Sequence, residues 1–196
     1  ERPFMSATRF QDVAVWDPAI RVFHWTLAGS FLVAYFAEDE LMALHVNAGY
    51  LIGALILFRL IWGFVGPAHA RFRDFVRGPS AVRDYLRQAV RFDAPRHLGH
   101  NPAGGAMVLA LLITLTVTVL SGIALYGATD FAGPLAGLFR GELAADLLEE
   151  THEVAANLTL LLVVLHLVGV LFSSLEHGEN LVKAMITGRK KSEVAP

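Results

Sequence analysis

Two histidines that lie fourteen residues apart in one apolar segment, His152 and His166, are the residues of this sequence best placed for chemistry. The segment runs from Thr151 to Phe172 and is typical of a membrane-spanning helix. Fourteen residues advance almost four full turns of an α-helix and about 21 Å along its axis. Both imidazoles therefore face one side of the helix at two depths. Histidine is costly inside hydrocarbon and is a common metal ligand, so the spacing predicts two stacked metal sites.

The apolar segments that must position these histidines define the fold class. The chain has 196 residues, of which 55% are hydrophobic and only 17% are charged, and the hydrophobic residues occur in long runs. A helix of about 20 apolar residues crosses the hydrocarbon layer of a bilayer. We predict an all-α membrane protein whose single domain, residues 1–196, is a bundle of four transmembrane helices. The helices are expected at about 20–37, 41–65, 103–126 and 147–175.

The charged residues between these segments predict the orientation of the bundle. The connector 66–101 is rich in arginine and the amphipathic tail 176–196 is basic, whereas Glu38-Asp39-Glu40 and the link 127–146 are acidic. By the positive-inside rule, both termini and the connector lie in the cytoplasm, and the acidic links face the periplasm across a bacterial inner membrane. Because the first link is short, the first two helices should form an antiparallel hairpin. We expect no cleaved signal peptide, because Arg2 and Arg9 precede a polar stretch.

The connector contains a second kind of helix. Residues 80–90 place apolar side chains on one face and arginines beside it, which predicts a short amphipathic helix. Such a helix is typical of a segment that lies on the anionic inner leaflet. A docking site for a partner protein is the less favoured alternative. The predicted apolar face consists of Ala81, Val82, Tyr85, Leu86, Ala89 and Val90.

Four of the eight histidines fall within the apolar segments or at their ends, and the topology assigns each a depth. His24 and His166 lie toward the cytoplasm, whereas His45 and His152 lie toward the periplasm. Each pair can supply two nitrogen ligands from facing helices, as cofactor sites in helical bundles often do. A lone histidine at any of these positions would more often be a hydrogen-bonded interior residue. Four that pair by depth favour ligation.

The number of ligands at each level predicts the cofactor. Zinc and non-haem iron prefer three or four protein ligands, often including carboxylates. Each level offers only two histidines, and the nearby Glu149, Glu150 and Glu153 lie at the helix end. The chain has no cysteine, which excludes cysteine-ligated clusters and covalently attached haem. Two axial histidines suit haem, so we predict two non-covalently bound haems b.

Other residues of the apolar segments fit such cofactors. Arg59 lies fourteen residues after His45, on nearly the same helix face, at the cytoplasmic level. It is a candidate partner for a haem propionate, and the alternative is an interfacial arginine whose side chain reaches lipid phosphate. Glycines within the helices would make room for a macrocycle, but they are also common where membrane helices approach closely. They are Gly29, Gly49, Gly53, Gly122 and Gly169.

Several short motifs together resemble the bacterial cytochrome b561 superfamily, which includes the b-type cytochrome subunits of membrane nickel–iron hydrogenases and formate dehydrogenases. The resemblance covers nearly the whole chain and is closest to the compact, stand-alone branch. The helix-four residues His152-Glu153 and His166 belong to it. The other motifs are Val15-Trp16-Asp17-Pro18, Arg21-Val22-Phe23-His24-Trp25, His45-Val46-Asn47-Ala48-Gly49-Tyr50, Phe58-Arg59-Leu60-Ile61-Trp62-Gly63, Gly99-His100-Asn101-Pro102 and Glu179-Asn180-Leu181-Val182-Lys183-Ala184-Met185.

The resemblance implies two bis-histidine haems b in a four-helix cytochrome, with His24 paired to His166 and His45 to His152. It also implies a quinone beside the cytoplasmic-side haem. Trp25, His100 and Asn101 are the candidate quinone residues, and His100 is the candidate proton carrier. The alternatives are an interfacial anchor for Trp25 and, for His100 and Asn101, the start of a helix at Pro102.

These features lead to a functional hypothesis. We predict a cytochrome that transfers electrons between the membrane quinone pool and a periplasmic redox protein such as a c-type cytochrome. The alternative is a superoxide:quinone oxidoreductase that needs no protein partner, so the pattern leaves open whether the chain is itself an enzyme. A structural anchor for a partner complex is the third hypothesis. A homodimer is left open, and no nucleic-acid partner is expected.

Overall fold

The structure is a computed structural model that describes residues 9–37 and 41–194. Arg2 and the acidic residues Glu38, Asp39 and Glu40 of the first link lie outside this range. The elements in chain order are β1 (Arg9–Ala14), α1 (Pro18–Phe36), α2 (Met42–Val65), α3 (Phe72–Phe75), α4 (Pro79–Val90), α5 (Pro102–Thr129), α6 (Glu142–Glu176), α7 (Leu181–Thr187) and β2 (Arg189–Val194).

Within the described ranges, four helices, α1, α2, α5 and α6, are long and apolar enough to cross a membrane, which confirms the predicted fold class. Local sequence signals fix where two of them begin. The Asp17 carboxylate accepts hydrogen bonds from the first backbone amides of α1, with Pro18 at the first helical position. Asn101 caps α5 in the same way, ahead of Pro102. Each cap satisfies amides that have no partner within the helix.

The fourth long helix is longer than its apolar stretch. α6 begins at Glu142, whereas hydropathy places its start near residue 147, and α5 continues to Thr129. Hydropathy detects the part of a helix that lies in hydrocarbon, and the polar residues at its ends can remain helical in water. With 35 residues, α6 is about 52 Å long, well beyond the ~30 Å of a hydrocarbon layer.

The four long helices pack as two pairs. α1 packs against α2, α5 packs against α6, and contacts between α2 and α5 join the pairs. The ring of His45, at the start of α2, hydrogen-bonds the carbonyl oxygen of Ala34, at the end of α1. The Phe23 ring, near the start of α1, lies 6.0 Å from that of Phe58, in the second half of α2, so the first two helices are antiparallel as predicted. Between the pairs lies a small apolar core that consists of Phe31, Ile52, Ile56 and Leu115.

A two-stranded sheet, which the sequence patterns do not predict, joins the two ends of the described chain. β1 pairs antiparallel with β2, from Arg9 opposite Val194 to Ala14 opposite Arg189. The predicted amphipathic tail is therefore a short helix, α7, followed by a strand. Gly188 ends α7 in the left-handed conformation with φ of 80°, which glycine adopts without strain.

Ion pairs and a hydrogen bond hold this sheet against the connector. The buried ammonium group of Lys190 lies 3.2 Å from the Glu179 carboxylate and donates a hydrogen bond to the carbonyl oxygen of His97. Arg96 also pairs with Glu179. We call the end of the bundle that holds the strands and the connector 66–101 the arginine-rich end. The opposite end, with the link 127–146, is the acidic end.

Candidate functional site

The pair nearer the acidic end, His45 and His152, is called the outer histidine level. The two ring centroids lie 5.9 Å apart. His45 Nδ1 lies 2.8 Å from the Ala34 carbonyl oxygen, and His152 Nδ1 lies 2.8 Å from that of Thr118. A carbonyl oxygen only accepts hydrogen bonds, so each Nδ1 carries a proton and the lone pair lies on Nε2. This is the arrangement that metal-ligating histidines usually adopt.

A cavity between the helices surrounds the outer histidine level. It is lined by both histidines, by Gly49 and Gly122, and by apolar side chains of α1, α2 and α5. A Cβ atom added to Gly122 would lie only 2.6 Å from His152 Cε1. Glycine is therefore required at this position if the His152 ring is to keep its place, whereas a Cβ at Gly49 would meet nothing within 4 Å.

The second pair, His24 and His166, is called the inner histidine level. It joins α1 to α6, and its ring centroids lie 6.3 Å apart. The edge of the Trp25 ring meets His24, with 5.0 Å between centroids. His24 Nδ1 is buried and has no hydrogen-bond partner among the described residues. The structure thus brings together both pairs that the sequence predicts.

The spacing of both pairs fits one metal ion between two imidazoles. A transition metal lies about 2 Å from an imidazole nitrogen, and with about 1 Å from that nitrogen to the ring centre the centroids fall roughly 6 Å apart. The observed values are 5.9 and 6.3 Å. Within residues 9–37 and 41–194, no three or more His, Cys, Asp or Glu side chains form a metal-binding group. Two imidazoles per level leave four equatorial positions for a macrocycle, so the residues fit haem.

Arg59 lies inside the protein, at the arginine-rich end of α2. Its side chain is only 3% exposed, and its guanidinium lies 4.8 Å from the centre of the Phe72 ring. Nη1 is buried without a hydrogen-bond partner in the described part of the chain. The alternative prediction of an arginine that reaches lipid phosphate is therefore wrong, because α3 covers this side chain. A buried guanidinium with an unsatisfied donor favours an anionic ligand.

His100 and Arg59 both contact the ring of Phe75. The His100 ring packs between Trp16 and Phe75, with 4.7 Å between centroids in each case, and the Arg59 guanidinium lies 5.7 Å from the same Phe75 ring. The Nδ1 atom of His100 is buried and has no hydrogen-bond partner in the described ranges. Burial, followed by the positive charge of Arg59, lowers the pKa of His100 to about 3. The imidazole is therefore neutral near pH 7, so it does not titrate in the range that the sequence argument assumed.

The other two candidate quinone residues have different surroundings. Trp25 is 45% exposed on the outside of the bundle, next to His24. Both polar atoms of the Asn101 side chain are engaged, because Oδ1 accepts from the Gly104 amide at 2.7 Å and Nδ2 donates to the Tyr85 hydroxyl at 2.8 Å. Asn101 is thus a helix cap that fixes the position of His100.

Sequence reasoning missed the aromatic residues around His100 and Arg59 and the carbonyl groups at the outer histidine level. Trp16 and Phe75 enclose His100, and Phe72 covers Arg59. Trp16 stands in a motif quoted above, but nothing in its spacing indicates a contact with residue 100. The carbonyl oxygens of Ala34 and Thr118 have no sequence signal, because every residue has one.

Four membrane-length helices that hold two stacked pairs of facing histidines define a helical membrane cytochrome. The model of the prokaryotic cytochrome b561 family matches residues 15–188, and the chain belongs to this family. The protein is therefore a multi-pass membrane protein of a haem b family that functions in membrane electron transfer.

A curated relative and the solved structures complete the comparison. The chain is 23% identical over 213 residues to a probable Ni/Fe-hydrogenase B-type cytochrome subunit of Rhizobium leguminosarum bv. viciae. This alignment covers 92% of the chain and 89% of the relative. No solved structure matches the chain.

Proposed function

We propose that the protein binds two haems b and transfers electrons between a quinone at the arginine-rich end and a periplasmic redox protein at the acidic end. His24 and His166 are the proposed axial ligands of one haem, and His45 and His152 are those of the other. The observation that carries the proposal is the spacing of both pairs, 6.3 and 5.9 Å between ring centroids. Held between these histidines, haem would supply one-electron redox chemistry.

The residues around the ligands have distinct proposed roles. The carbonyl groups of Ala34 and Thr118 hold the outer imidazoles in the ligating tautomer. Gly122 leaves the space that the His152 ring occupies. At the inner histidine level, Arg59 offers a buried positive charge to a propionate carboxylate. Its burial among aromatic rings strengthens such a contact, because water does not screen it.

The proposed quinone site lies beside the inner histidine level. His100 is neutral and its Nδ1 is available, so it would orient a quinone oxygen by a hydrogen bond rather than supply a stored proton. Trp25, on the outer surface of α1, would lie where a lipid-soluble ligand arrives from the membrane. Asn101 contributes through the helix cap that positions His100. The positive-inside rule places this end, and both termini, in the cytoplasm.

Charge favours a basic redox partner at the acidic end. Exposed carboxylates on the first turns of α6, among them Glu142, Glu149 and Glu150, would attract a positively charged protein such as a c-type cytochrome. The name of the relative suggests a second class of partner, a hydrogenase at the same membrane. Superoxide oxidation is less favoured, because these carboxylates would repel an anion and Arg140 is the only cation of the link 127–146.

A haem count tests the proposal first. A dithionite-minus-oxidised spectrum with pyridine haemochrome quantification on the purified full chain should give two haems b per chain. One haem, or none, would contradict the two-level proposal. A chain that lacks haem and still assembles with a partner would instead favour a structural anchor.

Two rapid-mixing experiments on the loaded protein then separate the remaining candidates, one with a quinol and a c-type cytochrome and one with superoxide and an oxidised quinone. Electron transfer to a basic c-type cytochrome that slows as ionic strength rises supports the proposal. Quinone reduction by superoxide, without any protein acceptor, supports the alternative.

A further inference from the structure

A groove at the arginine-rich end lies outside the haem sites. It runs between α4 and the first turns of α5, on the outer surface of the bundle. Its floor is apolar and consists of Val82, Leu86, Val90 and Ala106. Its rim carries the guanidinium groups of Arg77, Arg83, Arg87 and Arg91.

The apolar face that the sequence predicts for α4 is divided in the structure. Tyr85 and Ala89 are buried against the protein, whereas Leu86 is 49% exposed and Val90 is 79% exposed. The second half of the face is therefore left largely uncovered by the described part of the protein. Large exposed apolar groups beside charged ones mark an interaction surface, here one that faces the membrane.

The floor of the groove continues into the lipid-facing side of α5. Ile113 and Val117 follow Ala106 by seven and eleven residues, so all three lie on nearly the same helix face. Ile113 is 64% exposed and Val117 is 41% exposed. An apolar stripe thus leads from the groove toward the middle of the membrane, which is the path that an acyl chain would take.

The rim of the groove has an excess of positive charge. From Arg77 to Arg91 the chain carries four arginines and one aspartate. Asp84 lies 3.4 Å from Arg83 and 3.8 Å from Arg87, but these arginines are 63% and 66% exposed, so the pairs contribute little. Arg91 has no ion pair within the described ranges. The rim therefore matches a phosphate group carried just above an apolar chain.

We propose that this groove binds an anionic glycerophospholipid of the inner leaflet. The phosphate would lie among Arg83, Arg87 and Arg91, and an acyl chain would lie over Leu86 and along Ile113. The inference is independent of the haem proposal, because it rests on a surface that touches neither histidine level.

Native mass spectrometry of the detergent-purified full chain tests this inference. Phosphatidylglycerol and phosphatidylcholine of equal chain length are titrated separately, and phosphatidylglycerol should bind about ten-fold more tightly. Basic residues near a charged membrane surface contribute about five-fold each. The combined Arg83→Gln, Arg87→Gln and Arg91→Gln variant should therefore lose roughly ten- to hundred-fold in phosphatidylglycerol affinity. Its affinity for phosphatidylcholine should not change.

The matched control is Arg140→Gln, an exposed arginine at the acidic end, which should bind both lipids like the wild type. Leu86→Asn keeps every charge and should weaken phosphatidylglycerol binding through the floor of the groove. Equal affinity for the two lipids, or a triple variant that binds phosphatidylglycerol like the wild type, would overturn the proposal. So would displacement of the lipid by soluble glycerol phosphate at equal concentration, because the headgroup alone would then account for binding. A helical circular dichroism spectrum and an elution volume unchanged from the wild type show that each variant is folded.

Discussion

The two histidine levels differ in how the protein completes their hydrogen bonds. At the outer level, backbone carbonyls 2.8 Å away hold Nδ1 of both His45 and His152. At the inner level, His24 Nδ1, and close by Arg59 Nη1 and His100 Nδ1, are buried without a partner in the described part of the chain. Buried polar atoms without hydrogen-bond partners are costly. At the outer level the backbone itself satisfies the imidazole Nδ1 atoms, whereas at the inner level the unpaired polar atoms favour contacts with polar groups of a ligand.

The largest effect is expected when one ligand histidine is replaced, because one haem should be lost and the other kept. His45→Ala and His24→Ala should each lower the haem content from two per chain to about one, because each deletes one axial ligand of a different haem. Pyridine haemochrome quantification measures the content. His97→Ala, in the connector, is the control and should keep both haems. Loss of both haems in either ligand variant would show that the two levels do not bind independently.

A bulkier residue at Gly122 should affect only the outer level. A Cβ at this position would lie 2.6 Å from His152 Cε1, so Gly122→Ala should displace the ring and lower occupancy of the outer haem. Gly78→Ala, where an added Cβ meets nothing within 4 Å, is the matched control. Low-temperature difference spectra, which resolve overlapping α-bands, report the two haems separately. A normal outer haem in the Gly122 variant would contradict the close packing.

Removal of the buried charge should affect only the inner level. Arg59→Gln takes away a cation that favours the reduced, more negative state of the nearby haem, so the midpoint potential should fall by about 50 mV. Arg59→Lys should retain part of the effect. Redox titration followed by absorbance gives both potentials. A shift confined to the outer haem would refute the proposed propionate contact.

Acid should destabilise the inner level through His100. Its folded-state pKa of about 3 lies below the ordinary value of 6.5, so the unfolded chain binds more protons between these values. The contribution of the neutral His100 to the free energy of unfolding is present above pH 6.5. About 2 kcal/mol of this contribution is lost when the pH falls to 5. Thermal unfolding at pH 7 and pH 5 measures the loss, which His100→Gln should reduce. Equal pH dependence in the wild type and the variant would remove His100 as the cause.

Features that follow from hydropathy and from position along a helix could be predicted from the sequence. The four membrane spans follow from hydropathy, and the depths of His24, His45, His152 and His166 follow from topology and position along each helix. Both histidine pairs come together as that reasoning expects.

Features that depend on tertiary contacts were not predictable. The burial of Arg59 depends on α3, a four-residue helix too short for a periodic signal. The low pKa of His100 depends on rings contributed by Trp16 and Phe75, far from it in the sequence. The β1–β2 pair joins polar segments at opposite ends of the chain, and neither has the composition of a strand that would form alone.

The β1–β2 pair has a consequence for the order of biosynthesis. β1 precedes all four membrane helices and β2 follows them. The first strand therefore leaves the ribosome without its partner and stays unpaired until the last helix has been made and inserted. A chain that stalls or inserts with the wrong topology would keep an open strand edge at its N-terminal side, which proteases can recognise. The sheet can therefore close only after the four long helices between its strands have been made.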